Sequence, residues 1–210
     1  MSDQTPDESR PDPSDLPAVS RLAAGNALRE RLKDSAGLVP IADAAAHFIY
    51  DYFEADASAL TLIRGEWYRA LVTVGEPAPG QIRHPDGETY SVDEYPTIIG
   101  LLRSGSGYVA SVGNHGGVPE SQKFLTEIRK TSCLGAPIAY GGDVVGEMFA
   151  SRAKGRPYFT GHDLAALLDL ARQIGYRIGP AVRAMDARDP AWWPEGTSAD
   201  AIRELGDPLP

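Results

Sequence analysis

The sequence predicts an α+β domain, an antiparallel sheet with helices gathered on its faces. Two observations carry that prediction. Two pairs of apolar, β-branched segments, 57–63 with 67–74 and 132–140 with 144–152, are each joined by a short turn containing glycine, the pattern of a hairpin. Before the first pair and after the second run stripes of apolar residues at helical spacing. Consecutive hairpins imply antiparallel pairing, and an amphipathic helix buries its stripe against a sheet.

Taken in order, residues 1–16 are rich in Asp, Pro and Ser with almost nothing apolar, and read as a disordered, acidic, solubilising tail. Leu16–Leu32 shows a weak helical period. Leu38–Phe53 is clearer, with Leu38, Ile41, Ala42, Ala45, Phe48, Ile49, Tyr52 and Phe53 on one face, and Pro40 tolerated in the first turn. The first hairpin turns at Arg64, Gly65 and Glu66. Residues 75–93, with Pro77, Pro79, Gly80, Pro85 and Gly87, read as a long loop with an extended piece near Tyr90; such loops are often functional lids.

A short helix is predicted over Asp93–Arg103, capped by Asp93 and stopped by Gly105. A strand over 107–112 leads into a glycine-rich segment, and Glu120–Lys130 forms a further helix with Phe124, Leu125 and Ile128 on one side. The second hairpin turns at Gly141, Gly142 and Asp143, residues tolerant of positive φ. The last helix is the strongest prediction. Leu164, Leu167, Leu168, Ala171, Ile174, Ile178 and Val182 make one stripe, Thr160 and Asp163 form a capping box, and Pro180 is expected to bend or end it. In the polar tail beyond, Trp192 and Trp193 are expected to dock on the domain or on a partner.

Charge and composition remove several function classes. The formal net charge is −9, and residues 1–16 and 186–210 each hold −4 of it, so the folded body is nearly neutral. Nucleic acid binding needs a positive surface and is not expected. No apolar run approaches a membrane span and the N-terminus lacks a signal pattern, which predicts a cytoplasmic protein. The single cysteine, Cys133, excludes an internal disulfide and any CxxC site.

Some of these residues are familiar as a set. Ala136, Pro137 and Ile138 lie on one strand, Gly141 and Gly142 at the turn, Val145, Gly146, Glu147, Met148 and Phe149 on the next strand, then Phe159, Thr160 and the helix from Asp163. This run resembles the C-terminal half of GAF domains. Tyr90–Gly105, with Glu94, Tyr95 and Pro96 opening a helix, resembles the GAF domains of bacterial signalling proteins. The likeness runs from Leu38 to Val182. It implies a GAF-like (profilin-like) antiparallel sheet of about six strands flanked by helices, a pocket on one face, and dimerisation through the terminal helices. The chain then divides into the acidic tail 1–16, a sensor domain over 17–184, and a tail over 185–210 holding the Trp pair.

Candidate chemistry is sparse. Free-methionine-sulfoxide reductases resemble this fold, but their cycle needs several cysteines. A bilin attachment site would place His after the cysteine, where Leu134 stands, so Cys133 reads first as a small buried hydrophobe. His115, in a glycine-flanked loop, reads as an exposed loop histidine, with haem ligation the sharper alternative. His47, His84 and His162 show no i, i+4 metal spacing. There is no phosphate loop, no GxGxxG and no GxSxG. Only Lys123 and Phe124 echo the Asn-Lys-Phe-Asp-Glu pattern of cyclic-nucleotide GAF domains. Asp93 with Glu94 and Asp51 with Glu54 sit at helix ends without acid–base work to do.

What remains is a set of pocket walls: Tyr90, Tyr95, Tyr108, Phe124, Phe149 and Ser151, with His115 and Cys133 beside the expected pocket. No catalytic or metal-binding residue is predicted, and no cofactor is identified. The expectation is a non-catalytic sensory or regulatory domain, a homodimer, that binds an unknown small molecule and signals through a separate partner. The rival is an interaction module whose pocket is filled by its own side chains and whose working surface is the Trp tail.

Overall fold

Both hairpins form where the sequence pattern places them. In this computed structural model, residues 18–75, 89–113 and 118–185 are described. The acidic tail, most of the long loop, His115 and the Trp192–Trp193 pair lie outside the described residues.

Strand β1 (Ala57–Arg64) turns through Gly65, at φ 53°, into β2 (Trp67–Val74). Strand β5 (Ser132–Tyr140) turns through Gly141 and Gly142, at φ 62° and 95°, into β6 (Asp143–Arg152). These φ values lie in the left-handed region, which costs glycine little. The hairpins meet along β1 and β6, paired from Ala57↔Ser151 to Leu62↔Gly146. A short β3 (Thr89–Ser91) adds to β2 and β4 (Tyr108–Ser111) adds to β5, giving an antiparallel sheet in the order β3-β2-β1-β6-β5-β4.

Alternation along β1 and β6 sorts side chains between two faces. Leu60, Leu62, Met148 and Ala150 meet the main core. Three helices cover that core: α1 (Ala18–Arg31), α2 (Leu38–Tyr52) and α5 (Gly161–Ala184). The capping box opens α5 as expected: Thr160 Oγ1 accepts from Asp163 N–H, and Asp163 Oδ2 accepts from Thr160 N–H at 2.7 Å. Pro180 does not end this helix. One more turn survives beyond it because Val182 is buried and the Arg64 guanidinium donates to the Val182 carbonyl.

The other face carries two short helices, α3 (Pro96–Arg103) and α4 (Pro119–Glu127). The helix expected from Asp93 is interrupted. A 3-10 turn over Val92–Glu94 comes first, capped by Ser91 Oγ, and α3 starts only at Pro96. Proline disfavours a helical residue before it, and Tyr95 is accordingly non-helical at φ −139°.

α5 lies so close to β5 that two glycines are required. A Cβ on Gly175 would overlap the Ala139 carbonyl oxygen, and one on Gly179 would overlap the Tyr140 ring. Gly175→Ala is expected to destabilise the fold by roughly 1–3 kcal/mol, although alanine favours a helix by up to ~1 kcal/mol. Urea denaturation of the pair of proteins checks this.

Candidate functional site

Under α3 and α4, the second face of the sheet encloses a cavity of about 80 Å³. Strand register decides what lines it. Ala57, Ala59 and Thr61 of β1 alternate onto this face opposite Ser151, Phe149 and Glu147 of β6. On β2 the pairing shifts at Leu71, which faces no β1 partner, so Ala70 and Thr73 both reach the cavity, as strict alternation would forbid.

An aromatic series forms one wall. Tyr68 stacks on Tyr90 at 5.3 Å and meets Tyr95 at 6.3 Å; Tyr95 meets Phe124 edge-on at 5.6 Å, and Phe124 meets Phe149 at 5.5 Å. Such edge-to-face contacts are each worth ~0.5–1.5 kcal/mol beyond burial. The roof is tied together by acid–hydroxyl bonds. Tyr95 Oη donates to Glu127 of α4 at 2.6 Å, while Glu120 of α4 accepts from the backbone N–H and the hydroxyl of Thr97 in the first turn of α3. A carboxylate at that helix start also meets the positive end of the helix dipole.

The floor holds a buried acid. Glu147 is 9% exposed, and Tyr108, 4% exposed, donates to its Oε1 at 2.8 Å. Tyr108 on β4 spans β5 to reach it by passing over Gly135, where a Cβ would overlap both the ring and the carboxylate. Burial pushes the Glu147 carboxyl up to about 7, partly opposed by the bond from Tyr108. Burial first, then the charge of Glu147, holds the Tyr108 hydroxyl well above its usual range.

Lys130 enters the same cavity through the end of α4. Arg129 takes the left-handed conformation at φ 55°, and the Lys130 N–H returns to the Leu125 carbonyl at 3.0 Å, while Arg129 N–H bonds Thr126. This is a Schellman closure with arginine where glycine is usual. Lys130 is 7% exposed, and burial lowers its pKa, which the charge of Asp56 opposes. Three hydroxyl oxygens, Thr61 Oγ1, Thr73 Oγ1 and Ser151 Oγ, are buried without a hydrogen-bond partner.

Of the residues singled out from sequence, Tyr95, Tyr108, Phe124, Phe149 and Ser151 line the cavity. Tyr90 stands behind Tyr68 as a backing ring. Cys133 is fully buried in the apolar cluster on this same face of the sheet, and burial with the nearby Glu147 keeps it a protonated thiol. Glu147, Lys130, Thr61, Thr73 and Tyr68 were not foreseen. For Glu147 a signal existed, since it shares the i, i+2, i+4 face of Ser151 and Phe149.

An α+β sheet with helices packed on one face and a lidded, partly polar cavity on the other defines a small-molecule-binding class of domain. The family model for the GAF domain matches residues 37–178, and the chain belongs to that family. Among solved structures it is similar to the phycocyanobilin-bound GAF domain from a cyanobacterial phytochrome, at 14% identity and TM-score 0.64 over 77% of this chain and 94% of that one. It is also similar to the GAF domain from Acinetobacter phosphoenolpyruvate-protein phosphotransferase, at 16% identity and TM-score 0.59 over 79% of this chain and 96% of that one. The chromophore-binding domain of Stigmatella aurantiaca bacteriophytochrome aligns at 12% identity and TM-score 0.65, over 80% of this chain and 62% of that one. At these identities the likeness is one of fold. No curated protein matches the chain. Among the described residues no helix is long and apolar enough to cross a membrane, and no cluster of three or more His, Cys, Asp or Glu is placed to hold a metal.

The pKa of Glu147 has a thermodynamic consequence. Its folded value of about 7 exceeds the ordinary carboxyl value of 4.5, so between those pH values the folded chain keeps a proton that the unfolded chain has released. Stability therefore falls as pH rises through that window, by up to about 3 kcal/mol. Glu147→Gln removes this loss: it is expected to match the parent near pH 4.5 and to exceed its stability at pH 8, as read by urea denaturation at both.

Proposed function

We propose that this GAF domain is a sensory or regulatory module that binds one small molecule in the lidded cavity and passes the event to a separate protein, transforming nothing. One observation carries the reading: Thr61, Thr73 and Ser151 line the cavity, and their buried hydroxyls find no partner among the described residues. Buried polar groups are almost always satisfied, so unused hydrogen-bonding capacity around an enclosed space argues for a guest.

The size of the space supports a guest smaller than those in the phytochrome neighbours. A cavity of about 80 Å³ is far short of a tetrapyrrole. Cys133 is fully buried in the apolar cluster beside the cavity and offers no bilin an attachment point. The haem reading rests on His115, outside the described residues.

Signal leaves through the lid in this proposal. A guest touches Tyr95 just before α3, Ile98 on α3 and Phe124 on α4, segments tied by the Tyr95–Glu127 and Thr97–Glu120 hydrogen bonds. Pairing of two copies is assigned to the outer faces of α1 and α5, where Leu22 and Tyr176 stand exposed.

Ala59→Leu tests the cavity directly. The larger side chain is expected to fill empty space, raise stability by about 1 kcal/mol and abolish guest binding, since filling a void restores lost contacts. Thermal unfolding and native mass spectrometry of parent and variant read the two effects. Destabilisation, or a retained guest in the variant, goes against the reading.

A further inference from the structure

We infer that the guest is a small, flat, largely apolar monocarboxylic acid, its anionic head on Lys130 and Ser151 and its body between Phe149 and the alanines of β1. The inference rests on the ligand-binding reading and gives that ligand a class.

The head group follows from Lys130. Thr131 N–H bonds the Arg152 carbonyl at 2.8 Å and Asp56 N–H bonds the Ser151 carbonyl at 2.9 Å, so Lys130, Asp56 and Ser151 converge at one end of the cavity. Asp56 is already engaged: its Oδ2 accepts from Ala153 N–H at 2.8 Å and lies 3.8 Å from the Arg156 guanidinium. Among the described residues Lys130 has no ion pair within 4.0 Å, although it is 7% exposed. Lys130 is thus a cation on the cavity wall with an open place for an anionic partner among the described residues. A carboxylate in the cavity supplies that partner, and the unpartnered Ser151 hydroxyl, 1% exposed, supplies a donor beside it. Among the described residues that line the cavity, Lys130 is the only lysine or arginine.

The rest of the space sets shape and far end. Ala57 and Ala59 leave room over the sheet, while Phe149, Phe124, Ile98 and Ile99 close it with apolar surface. Beyond them stand Glu147, Tyr108 and Thr61. Ser151 and Glu147 are four residues apart on one strand, about 13 Å. Two hydrogen bonds of ~2.8 Å leave roughly 7 Å for the ligand, the length of a para-substituted benzene ring. A second carboxylate there would face Glu147, whereas a neutral hydroxyl finds Thr61 and Glu147 as partners. The fit is to a monoanion.

Isothermal titration of the full chain with para-hydroxybenzoate, para-hydroxybenzamide and terephthalate tests this. The acid is expected to bind roughly ten- to hundred-fold more tightly than the amide, the usual span for a charged hydrogen bond, and terephthalate more weakly than para-hydroxybenzoate. Lys130→Met should erase the preference by weakening the acid and leaving the amide unchanged, and Lys130→Arg should keep part of it. If Lys130→Met does not fold, Ser151→Ala carries the comparison and should weaken the acid more than the amide. Equal binding of acid and amide, unmoved by Lys130→Met, overturns the anionic head while leaving the cavity a binding site. Tightest binding of terephthalate overturns the assignment of the far end, and binding of none of the three overturns the ligand class.

Discussion

Everything about this chain turns on the pairing of β1 with β6. These strands come from separate hairpins, and their contact from Ala57↔Ser151 to Leu62↔Gly146 is what makes one sheet of two. Because side chains alternate along a strand, this one register sends Leu60, Leu62, Met148 and Ala150 to the helical core and Ala59, Thr61, Glu147 and Phe149 to the cavity. A slip by one residue would place Glu147 in the main core and Met148 under the lid. Burying that carboxylate among Ile49, Leu167 and Ile174 would cost far more than the fold has to spare. The register is therefore enforced by both faces at once.

The two faces are built to different standards. The helical face is filled so tightly that Gly175 and Gly179 have no room for a methyl group, and there Ser58 Oγ donates to the Ala46 carbonyl at 2.6 Å. On the cavity face, hydroxyls go unpaired, an acid is held near neutrality, and an ammonium sits without an ion pair among the described residues. Arg129, in a conformation that favours glycine, delivers that ammonium. The aromatic series and the Glu120–Thr97 clasp hold α3 and α4 over these groups.

The linear chain determined the elements and the fold class, because those depend on local periodicity and turn chemistry. The hairpins, the capping box at Thr160 and the stripe of α5 were all readable, as were five of the cavity-lining residues, since aromatic and hydroxyl side chains fall at alternate positions of strands whose ends are marked by glycines. Where local rules compete, sequence reading fell short: Pro180 breaks a helix in isolation, yet Arg64, 118 positions distant, sustains its last turn. Only tertiary structure decided that Glu147 and Lys130 share a cavity, that Gly135 lets Tyr108 cross to the acid, and that Cys133 is fully buried on the same face. Burial, and the pKa it imposes, is a property of what other segments pack around a residue, and no window of neighbouring letters contains it.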